Sequence, residues 1–185
     1  MSGACFAIPR LTWIEAGGFP ERFFLYHEDV DLSLRLRLAG GRLGVEPAAR
    51  VDHDYEFDKG AAKWRYLERN RWATLIRTYP GPLLFLLMPA LLATELALVA
   101  VAARGGWLGQ KLLAWFDTWR RVPSLLGERR AIQAHRAVSA GEFAAGLTAE
   151  LDSAYLGAAG RSRVLGALLR AYWSVVFRLV GGRRA

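Results

Sequence analysis

The run from Leu83 to Ala103 restricts the fold of this chain more than any other feature: 21 residues broken only by Pro89, Thr94 and Glu95. As a helix rising about 1.5 Å per residue, it is long enough to cross the roughly 30 Å hydrocarbon core of a bilayer. A spanning helix is one expectation. An ionised Glu95 near its middle costs about 2.5–3.5 kcal/mol on insertion scales, and Pro89 bends the helix, so a re-entrant or in-plane helix is the alternative. Positive charge flanks the run on both sides, so the positive-inside rule does not orient it.

Charge is divided unevenly around this run. Residues 1–81 carry 12 Lys/Arg and 11 Asp/Glu, whereas residues 82–185 carry 13 and 6, so nearly all of the net +8 lies in the apolar half. A basic apolar segment suits an anionic lipid surface. Nucleic acid is the competing partner of any basic chain, but no binding motif or basic-aromatic sheet pattern occurs, and no nucleic acid is expected. The single cysteine, Cys5, rules out an internal disulfide framework and fits a reducing compartment. Within Ala4-Cys5-Phe6-Ala7-Ile8 it reads as a small core residue. No charged segment followed by an apolar stretch and a cleavage site opens the chain, so no signal peptide is expected.

Residues 4–8 read as a short buried strand, followed by a short helix opened by the capping-box spacing of Thr12 and Glu15 and closed at Gly17-Gly18. An aromatic loop from Phe19 to Tyr26 then delivers the chain to His27-Glu28-Asp29-Val30-Asp31. From Leu32 to Leu38 the leucines alternate with Ser33, Arg35 and Arg37, the period of a half-buried strand. The ends favour a helix instead: Asp29 as N-cap, Asp31 in the first turn and four residues before Arg35, and Gly40-Gly41 as the stop. Two short strands are expected at 42–45 and 49–55. A basic amphipathic helix follows between Lys59 and Tyr79. Beyond the long apolar run, Trp107–Val122 and Val164–Val180 have the makeup of interfacial helices. The connecting stretch 124–162 is polar, alanine-rich and basic, without identifiable chemistry.

Three carboxylates within four residues, Glu28, Asp29 and Asp31, are in isolation most simply a solvated helix cap with an ion pair to Arg35. Their surroundings change that reading. Gly3-Ala4, the segment Gly17-Gly18-Phe19-Pro20-Glu21-Arg22-Phe23-Phe24-Leu25-Tyr26, then Glu28-Asp29-Val30-Asp31-Leu32, Arg35-Leu36-Arg37, Gly40-Gly41 and His53 occur in order. Together they resemble the second half of the catalytic domain of family 2 glycosyltransferases, most closely the bacterial rhamnosyl- and galactofuranosyl-type enzymes of envelope polysaccharide synthesis. The resemblance covers residues 3–80 and extends loosely into the apolar tail. It departs at Pro20, where Asp is commoner.

The resemblance implies an α/β architecture. Residues 1–58 would be the C-terminal half of a GT-A (nucleotide-diphospho-sugar transferase) domain, and an all-α membrane-associated region would follow. That region comprises a basic amphipathic helix at 59–81, spanning or re-entrant plus interfacial helices at 82–123, and a basic helical tail at 124–185 with a further apolar helix.

By the same resemblance Asp29 is the general base that takes a proton from an acceptor hydroxyl, while that oxygen displaces a nucleoside diphosphate from a sugar with inversion. Such a base typically contributes about 10²- to 10⁴-fold. Glu28 and Asp31 flank it. Gly3, Ala4, Gly18, Phe19, Tyr26 and Arg69 are the implied substrate-binding positions, and His53 the implied ligand of a divalent cation, Mg²⁺ or Mn²⁺, on the donor diphosphate. Arg65 and Arg71 join Arg69 as candidates for acceptor or lipid phosphates, a solvated or headgroup-facing helix being the plainer reading.

The partners implied are a nucleotide-sugar donor, a lipid-linked or glycan acceptor, and membrane lipids, at the cytoplasmic face of the inner (plasma) membrane. The family's nucleotide-gripping segment and its Asp-x-Asp metal motif are expected upstream of Gly3, and no such motif precedes the acidic cluster. Alone, then, this polypeptide is expected to bind nucleotide sugar poorly and to need the upstream half, supplied in the same chain or by a separate one. A non-catalytic membrane anchor or scaffold that retains the acidic cluster is the alternative.

Overall fold

A computed structural model describes residues 3–52, 60–150 and 162–182. Helices dominate them: α1 (Arg10–Glu15), a 3-10 turn (Glu21–Phe23), α2 (Glu28–Leu38), α3 (Ala62–Thr78), α4 (Gly81–Arg104), α5 (Leu108–Ala134), α6 (Ala140–Ala144) and α7 (Arg163–Leu179). No strand or sheet occurs among the described residues, so the expected α/β half of a GT-A domain is overturned. A strand persists only when a neighbour takes up its backbone groups along its length; within the apolar 4–8 segment only Cys5 forms a lone bridge, and 42–45 forms none. Cys5 is exposed rather than in a core. Residues 39–52 are exposed throughout, with Val45 at 90%. The second expected strand, 49–55, lies partly outside the described residues.

Two compact units divide the chain, Met1–Tyr79 with Ala90–Ala137, and Pro80–Pro89 with Val138–Ala185. In the first, α3 and α5 pack side by side and run in the same direction. Their pairing follows from the sequence at several levels: Trp64 stacks on Trp107 at 4.6 Å, Arg65 meets Asp117, Arg77 meets Glu128, and Gln133 donates to the Thr78 carbonyl. Arg129 donates to the carbonyls of Ile76 and Tyr79 at 2.6 and 2.7 Å, taking up acceptors that a helix end leaves orphaned.

The segment whose periodicity misleads is α2. Its leucines alternate because the helix is buried on nearly every side: Asp31 through Leu36, and Leu38, are all buried. A helix enclosed all round shows no polar stripe, and its ends carry the signal instead. Acidic residues occupy its first turn and Arg35 and Arg37 its last, in the sense the helix dipole favours. The N-cap is His27, in a left-handed conformation, so Asp29 is a first-turn residue rather than the cap. Gly40 stops the helix at φ +84°, a conformation that L side chains rarely adopt.

Among the described residues, α4 is the one helix long and apolar enough to cross a membrane. Its Glu95 is not isolated. The carboxylate accepts from Arg71 at 2.7 Å, Lys111 at 2.6 Å, Trp72 Nε1 at 2.5 Å and Trp115 Nε1 at 3.0 Å, while Lys111 also contacts Glu68. Two cations and two indoles from α3 and α5 therefore gather around an acid on α4, which removes the unpaired charge that the sequence suggested. The α5 helix continues well beyond Val122, running through Pro123 to Ala134.

In the second unit, α6 begins with a complete capping box between Ser139 and Glu142. Tyr172 of α7 donates to the Leu86 carbonyl. Phe143, Ala144, Val176 and Phe177 are buried within this unit.

Candidate active site

The segment before the acidic cluster is built around Phe23. Its ring is fully buried with Ala73 and Leu125, Ile76 packs against them, and the Arg77 guanidinium lies 5.3 Å from its centroid. Phe23 thus anchors the loop between α3 and α5. The rest of the loop is unusual: Phe24, Tyr26 and His27 have φ of +61°, +69° and +67°. Left-handed backbone at three non-glycine residues within four is costly, and it persists only where the surroundings fix it.

Asn70 and Arg69 do the fixing. Asn70 is fully buried, and its Nδ2 donates to the carbonyls of Phe23, Leu25 and Tyr26 at 3.0, 2.8 and 2.9 Å. Arg69 donates through Nη2 to the carbonyls of Arg22 and Phe23 at 3.2 and 2.9 Å, and through Nε to the Asn70 side chain. The sequence suggests that the loop's rings pin it. Side-chain donors on α3 do so, together with the buried Phe23 ring, whereas Phe24 is 77% exposed.

The loop delivers Glu28 and Asp29 to the start of α2. Asp29 Oδ2 accepts from the Gly3 N–H at 2.8 Å and Oδ1 from the Val30 N–H at 2.7 Å, while Ser33 Oγ donates to its carbonyl. Gly3 lies so close that a Cβ there would stand 3.6 Å from Asp29 Oδ2 and 3.8 Å from Glu28 Oε1. Gly3, Glu28 and Asp29, singled out 25 residues apart in sequence, are therefore gathered at one place. Buried polar atoms without a hydrogen-bond partner among the described residues sit beside them, Glu28 Oε2 and His27 Nδ1. Burial, then the Arg71 charge, lowers the His27 pKa below its usual value against the opposing pull of Asp29 and Glu68, which keeps the imidazole neutral.

Other residues singled out in the sequence have structural tasks. Asp31 is fully buried and bound by Arg35 at 2.7 Å and Arg77 at 3.0 Å, so its charge is consumed in joining α2 to α3. Arg35 continues the chain of contacts to the carbonyls of Gly18 and Ala16. A Cβ at Gly18 would stand 2.9 Å from the Trp13 indole, so glycine there permits close packing. Phe19 packs on Trp13 and Phe6, with centroids at 5.1 and 5.7 Å. Ala4 is exposed beside Gly3. The Tyr26 carbonyl is one of those held by Asn70.

The arginines divide as well. Arg65 is spent on Asp117, whose carboxyl its hydrogen bonds hold below the ordinary value, and Arg71 on Glu68 and Glu95. A cavity of about 560 Å³ between α1, α2 and α5 is lined by Thr12, Glu15, Arg35 and His135, among others, and none of the three acidic residues lines it. Among the described residues no three His, Cys, Asp or Glu side chains gather to hold a metal ion. His53, the expected ligand, lies outside them. The described residues therefore do not make a cation site by themselves.

Asn70 was not legible as a site residue. Its one signal is position, between two arginines on a face that proves to be buried.

Two rhamnosyltransferases match part of this chain. N-acetylglucosaminyl-diphospho-decaprenol L-rhamnosyltransferase of Mycobacterium tuberculosis is 37% identical over 76 residues, which are 41% of this chain and 25% of that protein. Rhamnosyltransferase WbbL of Escherichia coli K12 is 39% identical over 81 residues, 38% of this chain and 31% of that protein. The chain thus spans about a quarter to a third of the length of these relatives. No protein-family model matches it. No solved structure matches it either. Over the matched stretch the chain is related to glycosyltransferases.

Proposed function

We propose that this chain carries the acceptor-side catalytic segment of an inverting family 2 glycosyltransferase, with Asp29 as the general base. The donor would be a nucleotide-activated sugar. By analogy with the mycobacterial relative, whose name specifies a diphospho-decaprenol substrate, the acceptor would be a sugar on a lipid-linked diphosphate. The observation that carries the reading is the convergence of Gly3, Glu28 and Asp29 at a loop held in left-handed backbone by Asn70 and Arg69, within a chain similar to two rhamnosyltransferases. A loop so fixed can aim a carboxylate at a hydroxyl to within hydrogen-bond reach, which is the geometric demand of general-base catalysis.

Asp29 would receive the hydroxyl proton as the acceptor oxygen forms its bond to the anomeric carbon and the nucleoside diphosphate leaves with the electrons of the breaking bond. The Gly3 N–H would hold the carboxylate's second oxygen in place through that transfer. Glu28, with a buried oxygen that has no hydrogen-bond partner among the described residues, would accept from a second acceptor hydroxyl. A divalent cation, with His53 as a ligand, belongs to the proposal as charge neutralisation on the departing diphosphate. The proposed location is the cytoplasmic face of the inner membrane, where α4 and the basic apolar half would meet lipid.

The test is transfer itself. The full natural polypeptide, incubated with radiolabelled nucleotide sugars and an N-acetylglucosaminyl diphospholipid, is expected to yield a labelled lipid whose new linkage has the anomeric configuration opposite to the donor's. Retained configuration would overturn inversion. No transfer from any donor, with membrane attachment intact, would favour the non-catalytic anchor instead.

A further inference from the structure

Three arginines meet on the side of α5 that faces the Arg22–Tyr26 loop. Arg121 presents Nε and Nη2 as buried atoms with no hydrogen-bond partner among the described residues. These two atoms form one edge of the guanidinium, the fork that matches two oxygens of a phosphate group. One turn further along α5, Ser124 Oγ accepts from Arg22 Nη1 at 3.4 Å. Arg69 reaches the same place from α3, since its Nη2 lies 3.2 Å from the Arg22 carbonyl.

The carboxylates of the neighbourhood are already committed, Asp117 to Arg65 and Glu128 to Arg77. Burial, and the charges of Arg69, Arg22 and Arg77 against the opposing Glu128, push the Arg121 guanidinium below the usual arginine value. Like charges gathered around unused buried donors cost stability unless an anion completes them.

We propose that Arg22, Arg69 and Arg121 form a binding site for a diphosphate group, with the Nε/Nη2 edge of Arg121 as its bidentate donor. The inference gives the lipid-linked acceptor of the proposed transferase a place on this chain, and rests on that reading for the ligand's role though not for its chemistry. The site lies on the loop that leads to Asp29, so an acceptor held there by its phosphates is tied to the segment that positions the base.

Inorganic diphosphate titrated into the full natural polypeptide, followed by calorimetry, tests the site. Saturable binding is expected, weakened about tenfold or more in Arg121→Gln, with no loss of thermal stability in that variant because a crowded charge has been removed. The exposed Arg22→Gln is expected to weaken binding in the same direction, and carries the test should Arg121→Gln fail to fold. Absence of diphosphate binding by the unaltered protein, or equal binding by both variants, would overturn the proposal.

Two further arms identify the source of the group. Competition by farnesyl diphosphate in detergent micelles, with phosphatidylglycerol vesicles ineffective, assigns the site to a lipid-linked diphosphate. Arginine-dependent displacement by phosphatidylglycerol vesicles as well assigns it to phospholipid headgroups and overturns the acceptor role. Arg121-dependent binding in a protein that transfers no sugar refutes only the transferase reading. Transfer with diphosphate binding indifferent to Arg121 and Arg22 refutes only the site.

Discussion

Replacing Asn70 by alanine removes a side chain that both donates and accepts hydrogen bonds. Its two Nδ2 hydrogens are shared among the carbonyls of Phe23, Leu25 and Tyr26, and its Oδ1 accepts from Arg69 Nε. Three bonds' worth of pairing is lost at a fully buried position. At about 0.5–1.5 kcal/mol net for each, with carbonyls left unsatisfied, the expected cost is about 2–4 kcal/mol. Six of the seven tryptophans lie in the first unit, so fluorescence during urea unfolding reports mainly on it. The Asn70→Ala midpoint is expected to fall by that amount, and amide hydrogens of residues 23–29 to exchange faster than those in the middle of α3.

Asn70→Asp keeps the shape but sets a carboxylate against the three carbonyls, so it is expected to destabilise more than alanine does. If Asn70→Ala lies within about 0.5 kcal/mol of the unaltered protein, or Asn70→Asp matches it, the loop is not held as described.

Other perturbations have equally definite outcomes. Glu95→Ala leaves Lys111, itself fully buried, and Arg71 with only Glu68 between them; a loss of about 3–5 kcal/mol is expected in urea unfolding, with partial recovery when Lys111→Met is added. His27 titrates below its ordinary value, so the unfolded chain binds its proton first as pH falls. Its contribution to stability is therefore complete above about pH 6.5 and is lost progressively below it; His27→Asn, which tolerates the left-handed backbone, is expected to flatten the pH dependence of the unfolding midpoint between pH 7 and 5. Gly18→Ala, which places a methyl group 2.9 Å from the Trp13 indole at φ +58°, is expected to lower the first unit's thermal midpoint by several degrees, read by near-ultraviolet circular dichroism.

Local chemistry was legible in the sequence where the signal sat at an element's ends. The Asp31–Arg35 spacing and Gly40 identified α2 as a helix against its alternating leucines, because a capping or charge-pairing signal survives even when a helix is buried on all sides. The basic helix α3, the helices α4 and α7, and α5 as far as Val122 followed from their length and apolar pattern; the remainder of α5, through Pro123 to Ala134, did not. The strands at 4–8 and 42–45 were not borne out, since an apolar run describes what a segment can offer and not whether a neighbour pairs with it along its length.

Of the candidate site, Gly3, Glu28 and Asp29 come together in space. Asp31, Gly18 and Phe19 turn out to hold the surroundings. What the sequence concealed are long-range side-chain contacts, Asn70 on the loop carbonyls 44 to 47 residues away and Lys111 on Glu95, for which neither residue type nor spacing carries a local signature.

The central claim is that Asp29 takes the acceptor's proton, and the most direct measurement is single-turnover sugar transfer by the full natural polypeptide and its Asp29→Asn variant. Asparagine keeps the size of the side chain and its acceptor oxygen but cannot receive the proton. The transfer rate is expected to fall by at least about 10²-fold while membrane binding and diphosphate affinity stay unchanged. A variant that transfers sugar at close to the unaltered rate would contradict the assignment.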